Sequence, residues 1–146
     1  IEALTQQNLT IFDGKKPLGI NTRFRFYRYQ EGDYFKYHID GDWPGSKVEG
    51  DTLIHNAYSD RYSKMTFLIL LNDNFEGGDT QFLVNADQPG KPAKRGDRQA
   101  QVNVRMPVGG VLLFPHGHHS LHCLHSSTPI TKGVKYIIRT DMLFEI

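Results

Sequence analysis

Apolar and aromatic residues fall in short bursts along this chain, and polar or glycine-containing stretches separate them. That spacing predicts strands. Thr22–Tyr29, reading TRFRFYRY, places Phe24 and Phe26 on one face and Arg23, Arg25, Tyr27 and Tyr29 on the other, the period of two that a strand imposes. A turn at Glu31, Gly32 and Asp33 leads into a second strand, Tyr34–Asp40. Met65–Leu71, reading MTFLILL, is apolar without interruption, which predicts a central strand buried on both faces. Asp79–Val84, Gln101–Met106 and Val111–Phe114 are further strands, and Val134–Phe144 is a final strand pair or one long bent strand. Gly41–Lys64 and Asn85–Arg98 read as loops, the first long enough to be functional. Glu2–Leu9 favours a short helix outside the sheet, with a break at Pro17. Many short strands with almost no helix predict a mostly β fold, a sandwich or barrel of jelly-roll type.

The length of 146 residues suits one domain over residues 1–146. With 38% apolar and 23% charged residues, the chain has the composition of an ordinary soluble globular protein. A net charge of +1 gives no global field to argue for nucleic acid or an acidic membrane surface. Lys91, Lys94, Arg95 and Arg98 make only a modest basic cluster, the usual sign of a solvated loop. No apolar run approaches a membrane span. The one cysteine, Cys123, cannot form an intrachain disulfide and suits a reducing compartment, cytoplasmic or nuclear. A start at Ile1 without methionine points to trimming at the amino end, and a removed targeting peptide would leave no trace.

Candidate chemistry begins at His38-Ile39-Asp40. On a strand, residues two apart project to one side, so His38 and Asp40 could hold one metal ion while Ile39 points away. With a second histidine from a distant strand they would make the facial triad that leaves positions open on iron(II). Candidates for that histidine crowd Pro115–Ser127, where His116, His118, His119, His122 and His125 lie close together. Metal ligation competes there with the plainer reading of a polar surface loop. On the last strand Lys135 and Arg139 share a face with Ile137 between them, so a cation can point inward. A buried cation needs an anion.

In order, the chain carries Tyr29, His38 and Asp40, then Glu76-Gly77-Gly78 with Thr80, then His125 followed ten residues later by Lys135. This series resembles the 2-oxoglutarate and iron(II) dependent oxygenases, in particular the catalytic domain of prolyl 4-hydroxylases, and it covers Arg23–Phe144. The resemblance implies a double-stranded β-helix with His38, Asp40 and His125 as both metal ligands and catalytic centre. It also implies iron(II), 2-oxoglutarate and O2, with ascorbate as an optional reductant. Lys135 would pair with the distal carboxylate of 2-oxoglutarate, helped by the Tyr29 and Thr80 hydroxyls, with Arg139 as the rival cation. His122 is the rival to His125, and His116, His118 and His119 are expected on the surface. The family often has LHEG where this chain has Leu124-His125-Ser126-Ser127.

The reaction implied is hydroxylation of a C–H bond in a peptide or protein, with the Gly41–Lys64 loop and Trp43 as a candidate lid. A free amino acid or other small molecule is an alternative substrate. From a different class, the chain could be a non-catalytic metal-binding or interaction module that keeps the fold.

Overall fold

The computed structural model describes residues 12–88 and 90–146. In chain order its strands are β1 (Pro17–Ile20), β2 (Arg25–Tyr29), β3 (Phe35–His38), β4 (Lys47–Glu49), β5 (Thr52–Ile54), β6 (Arg61–Leu70), β7 (Phe75–Gly77), β8 (Thr80–Asn85), β9 (Gln99–Val104), β10 (Val111–Pro115), β11 (His125–Ser127), β12 (Ile130–Gly133) and β13 (Lys135–Glu145). No α-helix occurs among the described residues, and the helix expected at Glu2–Leu9 lies outside them.

The larger sheet runs β1-β13-β6-β10, with β2 pairing the other half of the β13 edge that β1 occupies. The smaller sheet runs β3-β11-β8-β9. Every pairing is antiparallel. From β2 onward the chain passes back and forth between the two sheets, the winding of a jelly-roll double-stranded β-helix. Leu68, Leu70, Phe75, Phe82, Phe114, Ile130 and Ile137 fill the space between the sheets as one buried cluster. Each such side chain contributes about 1.5–3 kcal/mol on leaving water.

The central apolar run lies in β6, flanked by β13 and β10 as the sequence implies. The strand begins four residues earlier than its apolar part, at Arg61. Gly41–Lys64 is therefore not one loop: it contains the β4–β5 hairpin and the start of β6, from Arg61 to Lys64. Its proximal part is pinned, because Asn21 is fully buried and bonds Pro44 O at 3.1 Å and the Ser46 amide at 2.9 Å. The β4–β5 hairpin that follows is largely exposed. Pro17 opens β1 and does not simply break the chain. The carboxyl-terminal segment is a single strand, with a register shift at Met142 and Leu143.

On β2 the two faces are arranged against the usual preference of their side chains. Phe24 and Phe26 point outward, Phe26 being 73% exposed, while Arg25, Tyr27 and Tyr29 face the interior. Pairing sets Tyr29 beside Lys135, Tyr27 beside Ile137 and Arg25 beside Arg139. Asp141 continues this inner face next to Thr66 of β6. The ionic stretch of this face, Arg25, Arg139 and Asp141, thus lies between two apolar clusters, one holding Ile137 and the other Met142.

Candidate active site

His38 ends β3 and His125 opens β11, and the two are register partners across the ladder. Their rings lie 4.3 Å apart between centroids. Asp40 is two residues beyond His38 but past the end of the strand, so alternation alone does not aim it. Its carbonyl accepts the Gly117 N–H at 2.8 Å, which fixes the turn. His38 Nε2 then sits 3.3 Å from Asp40 Oδ1, and His125 Nε2 sits 3.5 Å from Asp40 Oδ2. One ligand atom from each of the three residues lies within 4.8 Å of the others.

Hydrogen bonding behind the rings decides what these atoms offer. Nδ1 of His38 bonds Lys36 O at 2.8 Å, and Nδ1 of His125 bonds Cys123 O at 3.0 Å. A carbonyl only accepts, so each Nδ1 carries its proton and a neutral ring presents a bare Nε2 lone pair. Burial, the largest influence, lowers the His125 pKa and favours that neutral ring. Burial alone would raise the Asp40 carboxyl, but the Arg139 guanidinium and the Thr66 hydroxyl hold it well below the usual carboxylate range. Two lone pairs and an anion converging without a proton between them are what a divalent cation satisfies. The donor set of two imidazoles and one carboxylate fits iron(II).

A pocket of roughly 490 Å3, its open mouth included, adjoins these atoms and is lined also by Tyr29, Thr80, Lys135 and Arg139. All the site residues expected from the sequence therefore meet in one place. Lys135 is 4% exposed, and its ammonium donates to Gly78 O. Burial pulls its pKa down to about 8 and pushes the Tyr29 phenol up to about 12. Gly78 has φ +69°, and a Cβ there would lie 2.4 Å from Ile130 Cδ1 and 3.2 Å from Lys135 Cδ, which is why the turn beside the lysine carries glycine. Arg139 faces inward as well. Its Nη1 pairs with Asp40 Oδ1 at 2.9 Å, while its Nε and Nη2 have no hydrogen-bond partner among the described residues.

His116 departs from the expectation of a surface residue: it is 1% exposed, between Ser63 and Thr66 of β6. Nothing in the local sequence marks it off from His118, whose side chain is 97% exposed, or from the half-buried His119. Thr66, a polar residue inside the apolar part of β6, was the available signal.

A jelly roll holding two histidines and one aspartate about an inward lysine is the architecture of an iron(II) oxygenase site. The sequence model described as the 2OG-Fe(II) oxygenase superfamily matches residues 24–140. The chain belongs to this superfamily. It is 27% identical over 154 aligned positions to the PKHD-type hydroxylase YbiX of Escherichia coli, covering 96% of this chain and 56% of that protein. It is 30% identical over 113 positions to the PKHD-type hydroxylase XfasM23_1638 of Xylella fastidiosa, covering 76% and 40% respectively. The chain spans about half the length of these curated relatives. The fold is similar to that of a Pseudomonas putida prolyl-4-hydroxylase, with a TM-score of 0.52 at 17% identity over 96% of this chain and 61% of that one.

Proposed function

We propose that this chain is the catalytic part of an iron(II) and 2-oxoglutarate dependent hydroxylase that acts on a peptide or protein, in the manner of the prolyl hydroxylases. One observation carries the reading: a metal-ready triad and a buried ammonium share one pocket. His38, Asp40 and His125 would hold the iron. Lys135 would take the distal carboxylate of 2-oxoglutarate, with the Tyr29 and Thr80 hydroxyls beside it, and a buried, poorly compensated cation favours such an anion. Arg139 would serve the site through Asp40.

Iron(II), 2-oxoglutarate and O2 together place one oxygen atom in a substrate C–H bond and the other in succinate, with release of carbon dioxide. The chain's own residues position and insulate that chemistry. Leu68 and Ile137 line the pocket wall and exclude water from its floor. Phe35 lines the pocket and packs on the His38 ring, 4.2 Å between centroids, and β3 that carries both is the edge strand of its sheet. An open pocket beside a sheet edge favours an extended chain over a small molecule that would need enclosure.

The test supplies the protein with iron(II), 2-oxoglutarate, ascorbate and air, and reads succinate release together with a mass gain of one oxygen atom in proline-containing peptides. Succinate formed with free amino acids but with no peptide would overturn the substrate class. Absence of succinate under every condition, from protein that binds iron, would overturn the enzyme.

A further inference from the structure

Behind the Asp40 carboxylate runs a chain of hydrogen bonds that none of the roles above employs. The Trp43 amide bonds Ser63 Oγ at 2.7 Å, and Ser63 Oγ meets His116 Nε2 at 2.9 Å. His116 Nδ1 meets Thr66 Oγ1 at 2.9 Å, and Thr66 Oγ1 bonds Asp40 Oδ2 at 2.7 Å. Ser63, Thr66 and His116 are all buried. We propose that Thr66, His116 and Ser63 form a one-way hydrogen-bond relay that positions the Asp40 carboxylate for its metal, with His116 fixed as the neutral Nδ1–H tautomer.

The direction follows from counting protons. A carboxylate only accepts, so the single Thr66 hydroxyl proton goes to Asp40. Thr66 Oγ1 must then accept from His116, which places the imidazole proton on Nδ1. His116 Nε2 is left as an acceptor and takes the Ser63 hydroxyl proton, while Ser63 Oγ takes the Trp43 N–H. Every donor and acceptor is used once. The Asp141 carboxylate oxygen 3.8 Å from Nδ1 favours the same tautomer.

The relay closes on itself, because Trp43 is three residues after Asp40 and Gly117, next to His116, holds the Asp40 carbonyl. The turn from Asp40 to Trp43 is therefore tied to β6 at two points, and the rotamer of the carboxylate is set between two opposed bonds. Arg139 draws Oδ1 one way and Thr66 holds Oδ2 the other. Without the hydroxyl, the carboxylate is free to close on Arg139 and away from the histidines. Thr66, His116 and Ser63 are positioning residues, and the inference rests on Asp40 being a metal ligand.

The experiment measures Co(II) binding and its visible absorption spectrum in wild type, Thr66→Val, Thr66→Ser and His38→Ala. Thr66→Val keeps the shape and removes the hydroxyl; it should weaken Co(II) binding by about 10- to 100-fold and alter the spectrum. Thr66→Ser should restore both. Equal affinity and an unchanged spectrum in Thr66→Val would overturn the relay. His38→Ala separates the two levels: if it binds Co(II) as tightly as wild type, the metal site itself is misplaced. A second measurement needs no variant. In a long-range proton–nitrogen spectrum of the Zn(II)-loaded wild type, His116 should carry its proton on Nδ1, and a proton on Nε2 would overturn the proposal.

Discussion

Replacing Lys135 by methionine should make the ligand-free protein more stable while removing its grip on 2-oxoglutarate. The folded-state pKa of about 8 lies below the ordinary lysine value of 10.5. Between those values the unfolded chain binds the proton more tightly than the folded one, so stability rises with pH from 8 to 10.5. Below pH 8 the full penalty applies: a difference of 2.5 pKa units corresponds to about 3 kcal/mol. Methionine has similar volume and no charge, but it leaves Gly78 O without the ammonium, a loss of about 1 kcal/mol. A net gain of about 2 kcal/mol is expected at pH 7 from urea denaturation; near pH 10.5 the penalty is almost gone and the lost Gly78 bond remains, so the variant should there be somewhat less stable than wild type. Titration calorimetry of the Mn(II)-loaded protein should in turn show 2-oxoglutarate affinity reduced about 30-fold or more, the equivalent of about 2 kcal/mol. For wild type that affinity should hold steady up to pH 8 and fall above it, because binding then has to take up a proton. If the variant binds 2-oxoglutarate like wild type, or is less stable at pH 7, the lysine is not a desolvated anion site.

Alanine at His119, His122 and His125 in turn should separate the histidine cluster, with only His125→Ala losing Co(II) binding; loss in His122→Ala with retention in His125→Ala would move the ligand. Burial lowers the His116 pKa to about 4 from 6.5, so the unfolded chain binds the proton more tightly between those values. Stability is fully present above pH 6.5 and should fall by about 3 kcal/mol as pH drops through 4, read from denaturation midpoints; a flat profile over that window would mean that the ring is not held neutral. Gly77→Ala should cost at least about 1–2 kcal/mol, since Gly77 has φ +74° and its added Cβ would lie 2.1 Å from Pro129 O. An unchanged melting temperature in that variant would show that the turn can relax.

The parts of the site legible in the sequence were those governed by short-range geometry or by fixed spacing. Met65–Leu71 announced a central strand by its apolar run, and His125 with Lys135 stood out by separation along the chain. The β4–β5 hairpin left no trace, because its three-residue strands are largely exposed and have no alternation to display. β2 was legible as a strand, yet its pattern does not tell which face is inside: the interior there is an ionic pocket, and the phenylalanines are turned out. His116 was hidden for a related reason. Its burial depends on Ser63 and Thr66, fifty or more residues away in sequence, and a histidine among histidines carries no local sign of such partners.

β13 is held by β1 and β2 on one side and, from Ile137 onward, by β6 on the other, and its inward side chains from Lys135 to Arg139 are spaced by the pleat of the strand. The proposed anion site lies on this strand, and two of the three proposed metal ligands, His38 and His125, lie on paired strands of the other sheet. On this assignment, preference between 2-oxoglutarate and its longer or shorter homologues is fixed by the gap between the two sheets.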